Sequence, residues 1–97
     1  MAIEHITPSG GNIFADLGFV GEEAENLKIR STLMLEIHRV IEARGLKQRD
    51  AARLFGVSQP RISELVHGKI DQFSIDSLVN MLAHAGFTVE VRVPAVA

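Results

Sequence analysis

The sequence predicts a mostly helical, single-domain protein that ends in one β-strand. The chain has 97 residues, which suits one domain better than two. Apolar residues recur at spacings of three and four over most of its length, as in amphipathic helices. Only near the C-terminus do apolar and polar residues alternate, as in a strand. We therefore divide the chain into an N-terminal arm over 1–21, a helical domain over 22–86 and a strand with its tail over 87–97.

The arm is predicted to hold no long element, because Pro8, Gly10 and Gly11 interrupt it. Only a short helical turn over 13–17 is expected within it. Its start lacks the basic and apolar pattern of a secretory signal, and the chain has no run of 18 apolar residues that would span a membrane. The chain also has no cysteine, so we expect a cytoplasmic protein.

A long helix is predicted from Glu22 to Arg44. Leu33, Ile37 and Ile41 fall on one face of it, and Gly45 follows its last residue as a C-terminal cap. Glutamates crowd its first turns, where the helix dipole favours negative charge. A helix of this length measures about 34 Å, which is long for so small a domain. We therefore expect part of it to project and contact another chain.

Three shorter helices are predicted over 47–55, 59–67 and 75–85. Each one stops at a glycine, which adopts the positive φ of a helix end more readily than other residues. The last two begin after a serine, whose hydroxyl accepts hydrogen bonds from free backbone amides. These boundary residues are Gly56, Gly68, Gly86, Ser58 and Ser74.

The terminal strand is predicted over Phe87–Val93, and Pro94 stops it. A lone strand leaves its backbone hydrogen-bonding groups unpaired, so it needs a partner strand. Residues 3–6 are one candidate, but that run is short. We favour the same strand of a second copy, paired antiparallel about a two-fold axis, which predicts a homodimer.

The formal net charge of −2 conceals an uneven distribution. Residues 1–38 carry two basic and six acidic side chains, a net charge of −4. Residues 39–69 carry seven basic and three acidic ones, a net charge of +4. Residues 70–97 carry one basic and three acidic ones, a net charge of −2. A basic middle segment between acidic flanks is compatible with binding a polyanion.

Residues 48–65 have the spacing of a helix-turn-helix. Ala52 is small where two helices would cross closely, and Gly56 lies four residues later, at the turn. Val57 is expected to pack from the turn against the core. Ile62, Leu65 and Val66 form the inward-facing apolar stripe of the second helix. A generic helical hairpin that never touches DNA is the alternative interpretation.

This stretch resembles the Cro/C1-type (XRE) helix-turn-helix family of phage repressors and antitoxins. The resemblance covers about residues 33–86 and includes the Gly68-Lys69 pair and the helix over 75–85. It implies a lambda-repressor-like fold and a regulator that binds double-stranded DNA. Residues 12–19 and the terminal strand resemble a narrower subgroup, the short HigA-like antitoxins that pair with RelE-type toxins.

Membership of that subgroup implies an antitoxin that represses its own operon. The arm and the start of the long helix would then bind a RelE-type toxin, since a net charge of −4 suits a basic ribonuclease. A stand-alone or phage-type repressor is the alternative. In either case a homodimer would place two recognition helices about 34 Å apart, which predicts a palindromic operator.

Candidate DNA contacts concentrate on the second helix of the motif. Gln59 is of the type that pairs with adenine, Arg61 with guanine, and Glu64 accepts from a cytosine amino group. The resemblance also places these three at bases, and it places Gln48 and Lys69 on phosphates. The predicted set is Gln48, Ser58, Gln59, Arg61, Ser63, Glu64 and Lys69.

No catalytic constellation is evident. The four histidines lie far apart, without the spacing of metal ligands, and no glycine-rich phosphate loop or nucleophile elbow is present. Without cysteine, thiolate metal sites are also excluded. We therefore expect a protein that is not an enzyme and needs no metal or cofactor.

Overall fold

The computed structural model describes residues 21–95. This part of the chain forms four α-helices, with one turn of 3-10 helix between the last two. The elements are α1 (Gly21–Arg44), α2 (Gln48–Phe55), α3 (Gln59–Val66), the 3-10 turn (Ile70–Gln72) and α4 (Ile75–His84). All four predicted helices are confirmed to within one residue at each end. The predicted arm, its short turn and the apolar run over 3–6 lie outside the described residues, apart from Gly21.

The core lies between the second half of α1 and the three shorter helices. Helix α1 packs mainly against α4, and α2 packs mainly against α3. The side chains that are almost completely buried come from all four helices, so a single core holds them together. They are Leu33, Ile37, Phe55, Ile62, Leu78 and Leu82.

Two core residues were not predicted from the sequence, and one predicted core residue lies outside. Phe73, in the connection before α4, is only 2% exposed, and so is Met81. The prediction that Val66 joins the inward stripe of α3 is wrong, because this last residue of the helix is 36% exposed. Val57 is half-buried against the core, as predicted.

Three side chains in the first two turns of α1 are buried. Ala24 and Leu27 are buried, although neither belongs to the main core cluster. Lys28 is also buried, and its ammonium lies 3.0 Å from the carboxylate of Glu25. The expectation that part of α1 contacts another chain stays a prediction.

The terminal strand predicted over Phe87–Val93 is not found within residues 87–95, where only Glu90 has the pairing of an isolated bridge. Phe87 and Val89 instead pack against the helical core. Val91 and Val93 are 66% and 87% exposed. A strand forms only beside another strand, and the described elements of this chain are helical. Its pairing with a second copy stays a prediction.

None of the helices described between residues 21 and 95 combines the length and apolar character that crossing a bilayer requires. The same residues bring no three His, Asp or Glu side chains together as metal ligands.

We predict that Gly56→Ala destabilises the fold more than Gly45→Ala does. Both glycines have positive φ, +68° and +60°, which costs any L-residue with a side chain about 1 kcal/mol or more. A Cβ at Gly56 would also lie 2.8 Å from the imidazole ring of His84, whereas a Cβ at Gly45 would meet nothing within 4 Å. Urea unfolding followed by circular dichroism measures both free energies, and equal losses would contradict the account.

Candidate nucleic-acid interface

Helices α2 and α3 meet through a tight turn at Gly56. This residue takes the left-handed conformation, and both its amide and that of Val57 donate to the carbonyl of Ala52. Helix α4 secures the turn from outside, because the ring of His84 lies 2.8 Å from the position of a Cβ at Gly56 and its Nδ1 donates to the carbonyl of Leu54 at 2.9 Å. The turn is therefore held by local backbone bonds and by a neighbouring helix.

Helix α3 begins as its sequence predicts. The hydroxyl of Ser58 accepts from the amide of Arg61 at 3.3 Å, and Pro60 occupies the first turn, where an amide hydrogen is not needed. On the inner face of the helix, Ile62 is completely buried and Leu65 nearly so. Side chains on the opposite face consequently point away from the core.

Four of the predicted contact residues are exposed: Gln48, Ser58, Gln59 and Lys69. The side chains of Gln48, Gln59 and Lys69 make no hydrogen bond or ion pair within residues 21–95. Gln59 is the first residue of α3, and Lys69 follows its C-terminal turn. They are therefore available to a ligand that lies along the exposed face of α3.

Ser63 and Glu64 are half-buried, and both already contact neighbouring residues of α3 and its C-terminal end. Nδ1 of His67 donates to the carbonyl of Ser63 at 2.7 Å and lies 3.4 Å from the Ser63 hydroxyl. A carboxylate oxygen of Glu64 lies 3.4 Å from Nη1 of Arg61. His67 is itself exposed at the end of α3, although it was not among the predicted contacts.

Arg61 is the residue whose placement differs most from expectation. Its Nη1 donates to the carbonyl of Gln72 at 2.7 Å, and its guanidinium lies over the ring of Phe73, 4.2 Å from the ring centroid. Only 33% of the side chain is exposed. The guanidinium therefore joins α3 to the connection before α4 instead of extending freely from the outward face.

A search against protein families matches residues 13–94 to a family described as "Helix-turn-helix domain". The match covers most of the 97 residues and includes all four described helices. The chain belongs to this helix-turn-helix family. A search of the curated proteins finds no match. Family membership supports DNA binding, and in the helix-turn-helix motif the second helix, here α3, is the one that typically enters the major groove.

The helix-turn-helix carries an excess of positive charge that its own acids do not neutralise. Lys47, Arg53 and Lys69 are exposed, and no carboxylate within residues 21–95 lies close enough to pair with them. Arg49 has only a weak contact with Asp50, at 3.9 Å. Unpaired cations around an exposed helix are the footprint expected of a surface that neutralises phosphates.

The contacts that Arg61 makes within the protein compete with direct recognition of a base. A hydrogen bond from a charged donor contributes about 1.5–3 kcal/mol, and a cation–π contact at a half-exposed site adds about 0.5–1 kcal/mol. A bidentate contact to guanine is worth about 1–3 kcal/mol. Because these magnitudes are equal or favour the internal contacts, moving Arg61 to a base would give little net gain.

A signal in the sequence points to this placement. Arg61 lies four residues before Leu65, and residues at that spacing share one side of a helix. Since Leu65 is buried, Arg61 emerges at the edge of the buried face. Its partners lie 11 and 12 residues further along the chain, and no local pattern identifies them.

Proposed function

We propose that this protein is a transcriptional regulator that binds a specific sequence of double-stranded DNA and acts by binding, without catalysis. The observation that carries the proposal is the exposed face of α3, which starts at Gln59, whose side chain has no partner within residues 21–95. Unneutralised cations on α2 and after α3 flank that face. This combination supplies both a reading surface for the major groove and attraction to phosphates.

In this proposal the contacts divide into two groups. Gln48, Ser58 and Lys69 are assigned to phosphates, since they lie at helix ends where a backbone can approach. Gln59 and Ser63 are assigned to base edges, where Gln59 has the geometry to bind adenine. Glu64 is assigned to rejecting unsuitable sequences, because a carboxylate repels phosphate and accepts only from donors such as cytosine N4.

We predict that Gln59→Ala and Lys69→Ala weaken DNA binding in different ways. Gln59→Ala should cost about 1–3 kcal/mol on the preferred sequence and relax the preference at one base pair. Lys69→Ala should weaken all sequences alike and reduce the slope of log K against log salt by about 1. Fluorescence anisotropy on a selected operator and on single-base variants measures both effects.

The control is Arg39→Ala, on the part of α1 that lines a groove with Val40 and Phe87 and with no residue of α2 or α3. It removes the same charge and should leave the salt slope unchanged. A wild-type protein with a flat salt dependence and no preferred sequence would contradict DNA binding and favour a helical protein-interaction module.

We further propose that the regulator binds a palindromic operator as a homodimer through residues 87–95. The support is the pair of exposed valines, Val91 and Val93, in a segment whose alternating pattern favours a strand. Exposed apolar side chains on an extended segment favour association with another chain. A symmetric dimer would present two copies of α3 to successive major grooves.

We predict that Val91→Asp combined with Val93→Asp separates the dimer without unfolding the subunit. Both side chains are exposed, so their replacement should leave the helical core intact. Light scattering should give roughly twice 10.6 kDa for the wild type and 10.6 kDa for the double variant. Arg92→Asp serves as the control for added acidity. A wild-type monomer, or a double variant that remains dimeric, would contradict this interface.

The finer proposal is that the protein is an antitoxin that represses its own operon, as the resemblance to short HigA-like antitoxins implies. Its support is the excess of acidic side chains before the helix-turn-helix, including Glu22 and Glu23, which are exposed on the first turn of α1. A basic ribonuclease of the RelE type is the complementary partner. A stand-alone or phage-type repressor remains the alternative.

We predict that Glu22→Lys with Glu23→Lys abolishes capture of a RelE-type toxin encoded beside this gene. Reversing the charge of an acidic surface repels a basic partner and slows association. Glu42→Lys, near the other end of α1, is the control for reversing an acidic charge elsewhere on the helix and should leave capture unchanged. Co-expression followed by affinity purification provides the measurement. Equal capture by both variants, or the absence of a small basic reading frame next to the gene, would favour the stand-alone repressor.

A further inference from the structure

We propose that Arg61 is a positioning residue, which fixes the recognition helix against the connection over 70–73, and that it does not read a base. The proposal rests on the DNA-binding function proposed above. In this proposal Arg61 holds α3 in the orientation in which Gln59 and Lys69 can reach DNA. The proposal also reassigns a side chain whose type alone predicts a contact with guanine.

The contacts of Arg61 occupy one of the two guanidinium edges that can bind guanine, the edge that carries Nη1, and they fix where the group lies. A bidentate contact requires two N–H groups on one edge of the guanidinium, directed at O6 and N7. Here Nη1 already donates to the carbonyl of Gln72, and it also lies near the carboxylate of Glu64. One face of the guanidinium is covered by the ring of Phe73. Phe73 is buried in the core, so this platform is fixed.

A second arginine, Arg30 on α1, binds the same connection. Nη1 of Arg30, on α1, donates to the carbonyl of Ile70 at 3.1 Å and lies 3.5 Å from that of Phe73. Its Nε donates to the side chain of Asn26, one turn earlier, which orients the guanidinium. The carbonyls of the connection are thus bound by α1 on one side and by α3 on the other.

This arrangement links the two kinds of DNA contact. Lys69 stands at the start of the connection, and its amide donates to the carbonyl of Glu64 in α3. If the connection shifts, Lys69 and the C-terminal end of α3 shift with it. Losing Arg61 should therefore weaken phosphate and base contacts together, without a selective effect at one base pair.

The test compares Arg61→Gln, Arg61→Lys and Arg30→Gln with the wild type. Binding is measured on the selected operator and on its complete set of single-base-pair variants, at a temperature where circular dichroism shows every protein folded. Arg61→Gln should weaken binding to all these duplexes by about tenfold or more, with an unchanged profile of base preference. Arg30→Gln should give the same pattern, although it lies on another helix.

Arg61→Lys provides the rescue. Its ammonium can still donate to the carbonyl of Gln72 but lacks the planar group that lies over Phe73, so a positioning role predicts partial recovery of affinity on all duplexes alike, with an unchanged base preference. Gln59→Ala, which should change the profile at one base pair, is the positive control for base reading. Absence of any sequence preference in the wild type would reject the proposed function itself.

Two results would overturn the positioning role while leaving DNA binding intact. One is a loss of preference at a single base pair in Arg61→Gln that is absent in Arg30→Gln. The other is wild-type affinity in Arg61→Gln.

Discussion

The left-handed turn at Gly56 sets how α2 and α3 meet, and the proposed DNA contacts depend on that meeting. Its backbone bonds to Ala52 end α2 abruptly, and the buried side chains of Ile62 and Leu65 then fix the rotation of α3. The ring of His84 lies so close to the glycine that a Cβ there would require the ring to shift. Local conformation and tertiary packing thus impose the same geometry, which is the condition for a single well-defined fold.

The polar surface follows from this packing. With one side of α3 buried, Gln59 and Lys69 remain exposed, with no partner in the described part of the chain. Arg61 emerges at the boundary and binds back onto the protein. The near-zero net charge of the chain therefore gives little information about its partner. What attracts a polyanion is the local excess of exposed cations around the motif.

Local signals explain why the helices are predictable from the sequence. The caps at Ser58 and Ser74 and the glycines that end each helix act within a few residues, and each prediction is confirmed to within one residue. The placement of Arg61 and the burial of Phe73 depend on a contact between segments that are 12 residues apart, which periodicity does not encode. The strand over Phe87–Val93 depends on a neighbour, so alternation alone was not enough to predict its formation in one chain.

The central claim is that the exposed face of α3 is the surface that meets DNA. Amide chemical shifts of the ¹⁵N-labelled protein, titrated with a selected duplex, test it residue by residue. The account predicts that the largest shifts cluster at residues 58–60 and 63–69, with small shifts at exposed positions of α1 such as Leu35. Shifts concentrated on α1, with residues 58–69 unaffected, would contradict it.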